Sequence, residues 1–393
     1  MKKNLDIVIV TDTYPPEGNG VALSIVRVVR HLRSARHRVR LVRPRQQDEA
    51  ANEGDLLVRG LPLPRYPGLR FGLPAWRRLL RAWREERPDV VHIVTEGPLG
   101  WSALLAARQL GVPVTSDYRT HFDAYSSHYG LGMLSAAVRA VLRAFHNRTD
   151  LTFVPTAALE MQMKRQGYRR LVRVGRGVDT RLFNPQRRSL ELRTSWGVKP
   201  HDPVFLYVGR LAPEKNLELV RAAFDTIRSE QPDARLLWVG DGPARRRMDD
   251  GRPGEIFTGV LHGSELAAHY ASADIFLFPS VSETFGNVLL EAMASGLAIV
   301  AFDLAAAREH MTDGVDASLL VPACDGDELR AAASFIHAAR RLARQPDRRR
   351  HLGRAARETA EGLTWPVVLN RFEAHLHACA AQPKAALGVA AAH

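Results

Sequence analysis

Four side chains stand out as able to do chemistry together: Arg210, Lys215, Glu283 and Glu291. Arg210 and Lys215 share the loop GRLAPEKN, Gly209 to Asn216, directly after the apolar run VFLYV. Glu283 and Glu291 lie in SVSETFGNVLLEAMASG, Ser280 to Gly296, with seven residues between them. The run ADIFLFP before it is short, apolar and closed by proline, as a covered parallel strand is. Asn287 to Ala294 then spaces Val288, Leu289, Ala292 and Met293 along one helical face. Gly286 marks the turn and lets the backbone pass close to a ligand. A helix start offers free N–H groups and a positive dipole end, which is an anion site. Two cations on a neighbouring loop suit a diphosphate. Arginine forks two oxygens, lysine acts as a mobile point charge, and fixed cations stabilise the charge that gathers on a departing diphosphate. Glu283 then lies near a group attached to the diphosphate. Glu291, roughly two turns along the helix, is placed to accept ribose hydroxyls. The plain alternative is a loop acid, a solvated helix acid and two surface cations.

Such loops need sheets to hold them. At 393 residues, 46% apolar and 25% charged, the chain has material for two globular domains. Its two cysteines, Cys324 and Cys379, cannot build a disulfide framework and fit a reducing compartment. The first apolar run, Ile7 to Val10, is bracketed by Asp6 and Asp12 and is too short for a signal-peptide core. No stretch approaches the ~20 apolar residues of a membrane span. A cytoplasmic protein is expected, soluble or resting on the inner membrane face. The net charge of +13 is unevenly placed. Residues 1–185 carry 30 basic against 16 acidic side chains, and the remainder 25 against 26. A basic half attracts nucleic acid, anionic lipid or an acidic substrate. No zinc spacing, RNA-binding strand motif or basic zipper is present, so nucleic acid is not expected as a partner.

Each half opens as strand, glycine-bearing loop and helix. In the first, Asp6 to Thr11 leads through a loop ending at Gly20 to a helix from Val21 to Leu32. The loop ending at Gly20 suits a phosphate cradle and suits equally a plain tight turn. A dinucleotide fingerprint is missing, because GNGVAL lacks its third glycine and the second strand ends in arginine and proline rather than an acid. Val90 to Val94 and Val112 to Ser116 read as buried strands, with a helix from Leu99 to Leu110 between them, closed by Gly111. Polar and aromatic side chains crowd the next segment, among them Arg119, His121 and Asp123, where open α/β sheets bind ligands. Residues 175–203 are loop-rich and mark a boundary. The expected organisation is 1–180, 181–363, a helix over 364–382 crossing back to the first domain, and a flexible tail over 383–393. Two basic amphipathic helices are expected in 70–88 and 134–148. The first sets Trp76, Leu79, Leu80 and Trp83 beside Arg77, Arg78, Arg81 and Arg84. The second sets Val138, Val141, Leu142 and Phe145 beside Arg139, Arg143 and Arg148. Both suit an anionic membrane interface and suit equally a core-packed helix with a solvated arginine face.

The paired-glutamate stretch, with Phe285-Gly286 after the first acid and EAMASG at the second, resembles the signature of the retaining family-4 glycosyltransferases. GRLAPEKN is similar to that family's diphosphate loop, and PPEGNG, the Gly177–Asp179 segment and Phe183 with Pro185 fit as well. The resemblance implies an α/β protein of the GT-B fold, two Rossmann-like domains with parallel sheets facing across a cleft. It implies retention of configuration and a nucleotide-sugar donor held mainly by the second domain. Arg210 and Lys215 would bind the diphosphate, aided by backbone around Phe285, Gly286 and Asn287. Glu283 would contact the donor sugar and Glu291 the ribose. One departure matters: where the family commonly has a histidine, this chain has Arg119, and His121 falls where asparagine is usual. Arg119, His121 and Asp123 are therefore candidates for the sugar or acceptor side. The pair Asp325 and Asp327 has the form of a metal-binding DxD, but it precedes a helix and reads as a cap. No metal or other cofactor is expected. The segments around Asp179, Tyr125 and His310 are most similar to bacterial GDP-mannose-dependent α-mannosyltransferases, with UDP-sugar-dependent sulfolipid synthases also near. A hexosyltransferase acting on a lipid or glycan acceptor is the expectation. A nucleotide-sugar epimerase of the same fold is the alternative.

Overall fold

The computed structural model describes residues 3–15, 20–45, 54–63, 66–119, 132–281, 283, 285–322 and 327–382. The chain divides into two compact units, Met1–Gly175 with Val368–His393, and Arg176–Val367.

Unit one contains β1 (Asp6–Val10), β2 (Arg38–Pro44), β3 (Leu56–Val58), β4 (Gly60–Leu63), β5 (Tyr66–Gly72), β6 (Val90–Ile93), β7 (Val114–Asp117), β8 (Leu151–Val154) and β9 (Leu171–Arg173). Seven of these form one sheet in the order β3-β2-β1-β6-β7-β8-β9, and β4 and β5 pair separately. Every pairing in the seven-stranded sheet is parallel, with Ile7 opposite Val39 on one side and Val90 on the other. Ile7 to Val10 are all buried, as a parallel strand covered on both faces requires. The chain direction of assembly reverses between β1 and β6, which makes their carboxyl ends a ligand-binding edge.

The expected helix before Gly111 is present as Pro98–Leu110, with proline in the first turn and Gly111 in the left-handed conformation at its end. The basic stretch 70–88 is not one helix. Its start completes the antiparallel strand β5, and the helix is Trp76–Glu85. Leu79, Leu80 and Trp83 pack in the core of unit one, whereas Trp76 and the arginines are exposed. The second basic helix, Gly132–His146, divides differently. Leu142 and Phe145 are buried, with Phe145 edge-on to Trp101 at 5.2 Å, whereas Val138 and Val141 are exposed.

Asp12 fastens the hairpin to this sheet. Its Oδ1 accepts the Gly72 N–H at 2.8 Å, and its own N–H donates to Thr95 Oγ1 at 3.0 Å. Burial raises the Asp12 carboxyl above the usual aspartate range despite these hydrogen bonds, and the charge of Glu96 adds to the rise.

Unit two is a six-stranded sheet of β10 (Val204–Val208), β11 (Arg235–Val239), β12 (Glu255–Gly259), β13 (Ile275–Phe278), β14 (Ala298–Phe302) and β15 (Ser318–Leu320). The order is β12-β11-β10-β13-β14-β15, all parallel. Side chains alternate between two cores. Val204, Leu206 and Val208 face one, and Phe205 and Tyr207 the other. The helix Asn287–Ala294 rests against the helix Pro346–Glu361 at near-contact of two backbones. A Cβ on Gly353 would lie 2.1 Å from the Gly296 carbonyl oxygen, so only glycine fits there. The final helix, Trp365–Ala380, leaves unit two after Val367 and packs on unit one. Phe372 meets His92 and Phe153 with ring centroids 5.0 and 4.9 Å apart.

Two outcomes are expected. Gly353→Ala forces the paired helices apart and costs about 1–3 kcal/mol, read as a lower Tm. Gly362→Ala, whose added Cβ meets nothing closer than 3.5 Å, leaves Tm in place. Equal Tm values for the two variants contradict the packing. A carboxyl with a raised folded pKa loses its stabilising contribution as pH climbs from its unfolded value through its folded one. Asp12→Asn removes that loss, so the variant gains on the native protein as pH rises from about 4. Urea midpoints of both proteins over a pH series measure the difference, and a constant difference refutes the assignment.

Candidate active site

In unit two the strand order reverses between β10 and β13, which are hydrogen-bonded neighbours with Phe205 opposite Ile275. The loops leaving their carboxyl ends therefore emerge side by side at the ligand-binding edge. The first carries Arg210 and Lys215, the second Glu283.

The first loop has a fixed backbone. The Leu211 N–H donates to the Asp241 carbonyl and its carbonyl accepts the Ala244 N–H, both at 2.9 Å. Leu211 and Ala212 are fully buried. A short 3-10 turn, Pro213–Lys215, then hands over to the helix Leu217–Arg228 through Asn216 in the left-handed conformation. Arg210 and Lys215 thus project from an anchored frame. The second loop ends at Gly286, whose φ of 90° favours glycine. Gly286 is the N-cap of Asn287–Ala294 and has no side chain with which to cap that end. The first-turn N–H groups of such a helix call for an outside acceptor.

Both cations are matched by carboxylates. Lys215 Nζ donates to Glu283 Oε1 at 2.6 Å, and Ser280 Oγ donates to the same oxygen at 3.2 Å. Arg210 pairs with Glu214 one turn along its own loop. Desolvation pushes the Glu214 carboxyl up, but the hydrogen bond and charge of Arg210 outweigh it and hold the group below its usual range. Beneath the loops, Tyr207 donates to the Arg210 carbonyl at 3.3 Å. Burial first, then the charges of Glu283 and Glu214, keep its phenol protonated. Further along the helix, Glu291 Oε2 accepts a hydrogen bond from Tyr270 at 3.0 Å. Burial and the Glu291 charge raise the Tyr270 phenol well above its ordinary value.

The structure therefore joins Lys215 to Glu283 and sets Arg210 on the same loop. Phe285 turns its ring into the core, edge-on to His310 at 5.7 Å, and its carbonyl accepts the Ala306 N–H at 2.8 Å. Asn287 is the first helical residue. Tyr207, Glu214, Tyr270 and Ser280 escape a sequence reading. Three of them look like ordinary loop or core residues, and only Glu214, inside the cationic loop, carries a hint.

Gly20 opens the helix Gly20–Ser34 in unit one. Arg119 lies at the end of β7 and is almost wholly buried. Its guanidinium grips Asp117, with Nε to Oδ2 at 2.6 Å, and donates to Ser24 Oγ. His121 and Asp123 lie outside the described residues, as does Asp325 of the DxD pair. Asp327 occupies the N-cap position of the helix Glu328–Arg344 without a side-chain capping bond; its carboxylate faces Arg330 at 3.7 Å instead. Among the described residues, His37, Glu373 and His377 are close enough to share an ion. His37 Nδ1 accepts the Leu5 N–H at 3.0 Å, so in the neutral ring the proton sits on Nε2, facing Glu373. That tautomer offers no lone pair to a metal, and the hydrogen bond of Glu373 is made with His31 Nε2, at 2.9 Å.

Residues 18–182 match the family described as Glycosyltransferase Family 4, and residues 202–339 match Glycosyl transferases group 1. A GDP-mannose-dependent alpha-mannosyltransferase of Mycobacterium tuberculosis is 35% identical over 382 residues, covering 95% of this chain and 96% of the relative. The sulfoquinovosyl transferase of Arabidopsis thaliana is 33% identical over 314 residues, covering 78% of this chain and 60% of the relative. Among solved structures, a sucrose-phosphate synthase from Thermosynechococcus elongatus superposes with a TM-score of 0.78 at 19% identity, over 96% of this chain and 100% of its own. Similarity that runs through both units at this level makes the chain a member of glycosyltransferase family 4, with the GT-B fold.

Proposed function

We propose that this glycosyltransferase moves a mannose, with retention of configuration, from GDP-mannose to a hydroxyl of a lipid or glycan acceptor. The observation that carries the reading is the Lys215–Glu283 pair at the strand reversal of unit two, beside Arg210 and the helix start at Gly286. A diphosphate arriving there meets two cations and a helix N-terminus, and Lys215 passes from Glu283 to the phosphate oxygens. Those charges stabilise the leaving group as the glycosidic bond breaks, the task a metal performs elsewhere. Glu283 is then free to hold the hydroxyls of the sugar, and Glu291 those of the ribose. Unit two is the donor side in this account, and unit one the acceptor side.

The 35% identity to a GDP-mannose-dependent enzyme over 95% of the chain favours that donor. The likeness to a sulfoquinovosyl transferase supports a second reading, a UDP-sugar-dependent glycolipid synthase. A lipid acceptor also fits the surface of unit one. Val138 and Val141 are exposed on the helix that carries Arg139 and Arg143, with Arg148 just beyond it, a basic and apolar face suited to anionic lipid. Among the described residues no helix is long and apolar enough to cross a membrane, so contact with lipid would be peripheral.

The donor is tested by thermal shift and donor hydrolysis with GDP-mannose, UDP-glucose, UDP-galactose and UDP-sulfoquinovose. GDP-mannose should give the largest shift, and turnover should persist in excess EDTA. A larger response to a UDP-sugar selects the second reading, and loss of turnover in EDTA refutes metal independence. Incubation with donor alone should yield no isomeric sugar nucleotide, as an epimerase would.

The residues are tested by kinetics. Glu283→Gln and Lys215→Ala should each lower kcat roughly a hundredfold or more, the scale of losing one preorganised electrostatic contact. Arg119→Ala should act on stability, because it removes the guanidinium paired with the buried Asp117 carboxylate. A larger kcat loss in Arg119→Ala than in Glu283→Gln would move the chemistry to unit one.

A further inference from the structure

We propose that Tyr270 is a positioning residue for donor binding, its phenol fixing the Glu291 carboxylate in the orientation that receives the ribose hydroxyls. The inference rests on the ribose reading of Glu291 given above.

Tyr270 belongs to the helix Gly263–Ser272 and Glu291 to the helix Asn287–Ala294, both lining the same core of unit two. The Tyr270 ring is fully buried, edge-on to Phe183 at 5.5 Å and tilted against Phe276 at 5.8 Å. That packing aims the hydroxyl in one direction. It meets Glu291 Oε2 at 3.0 Å, with the Val288 carbonyl a more distant second acceptor at 3.4 Å. A phenol has one proton to give, and the ionised carboxylate is the stronger acceptor.

The arrangement has a direct consequence for binding. A glutamate on an exposed helix face samples many rotamers and must be ordered when a ligand arrives, which weakens the complex. Here folding orders it in advance. An ionised carboxylate has acceptor sites for several donors, so being held by a phenol does not prevent it from accepting more. A vicinal diol, such as the 2′ and 3′ hydroxyls of a ribose, is a matching pair of donors. A solvated surface acid would have no need of a donor buried this deeply.

The test compares affinities of the full chain for GDP and 2′,3′-dideoxy-GDP, or for the UDP pair should the donor panel select it. The native protein should prefer the ribonucleotide. Tyr270→Phe keeps the ring contacts and removes only the hydroxyl. Glu291→Asp draws the carboxylate back from Tyr270 without touching the core, so it remains informative even if the phenylalanine variant is poorly folded. Each should bind the ribonucleotide roughly tenfold more weakly and the dideoxy form almost unchanged, so that the preference collapses. A preference that survives in both variants overturns the proposal. So does an equal loss for both nucleotides, which is the mark of general damage. A native protein that binds the two alike removes the ribose reading itself, a failure visible before any substitution is made.

Discussion

The contact between Lys215 and Glu283 is the constraint on which the candidate site of unit two depends. The two residues are 68 positions apart in the chain. They meet only because β10 and β13 are neighbours in the sheet and both loops leave from carboxyl ends. A change in strand order, or a one-residue slip that turned either strand over, would separate them. The dense apolar packing on both faces of these strands therefore serves the chemistry as well as the stability. Phe205, Leu206 and Tyr207 are wholly buried, as are Ile275, Phe276 and Leu277.

The edge also illustrates how charges at a loop cluster are balanced within the fold. A buried or half-buried charge left alone is costly. Arg210 has Glu214, Lys215 has Glu283, and Glu291 has Tyr270. Each of these partners is itself held. Ser280 bonds Glu283, and Tyr270 is locked among aromatic rings. The result is a polar network whose members are ordered by one another.

Unit one repeats the sheet logic with different contents. Its carboxyl edge holds Arg119, but the guanidinium is engaged by Asp117 and Ser24 inside the unit. Its two basic helices began as equivalent sequence patterns and ended with different roles. Leu79, Leu80 and Trp83 of Trp76–Glu85 are core, whereas Val138 and Val141 of Gly132–His146 remain outside. Periodicity specifies which residues share a face. It does not specify what lies opposite that face.

The sequence by itself determined the α/β class, the twin strand–loop–helix openings, the strands that carry the candidate loops and the four candidate side chains. These follow from local rules: continuous β-branched runs, glycine where the backbone turns, and helical spacing from Asn287 to Ala294. The hairpin of β4 and β5 was missed, because its strands pair outside the main sheet and carry prolines and glycines in place of a clear alternation. The partners of the site were likewise invisible. Tyr270 reads as one more apolar residue of a buried helix, and nothing in its neighbours announces Glu291, which is 21 residues away. Only the tertiary structure decided that Lys215 faces Glu283, that Arg119 turns inward, and that Phe285 supports the loop from below. The reason is physical. Side-chain types and spacings record what each segment can do, whereas the pairing of charges depends on which strands become neighbours, and that is settled by burying the whole chain at once.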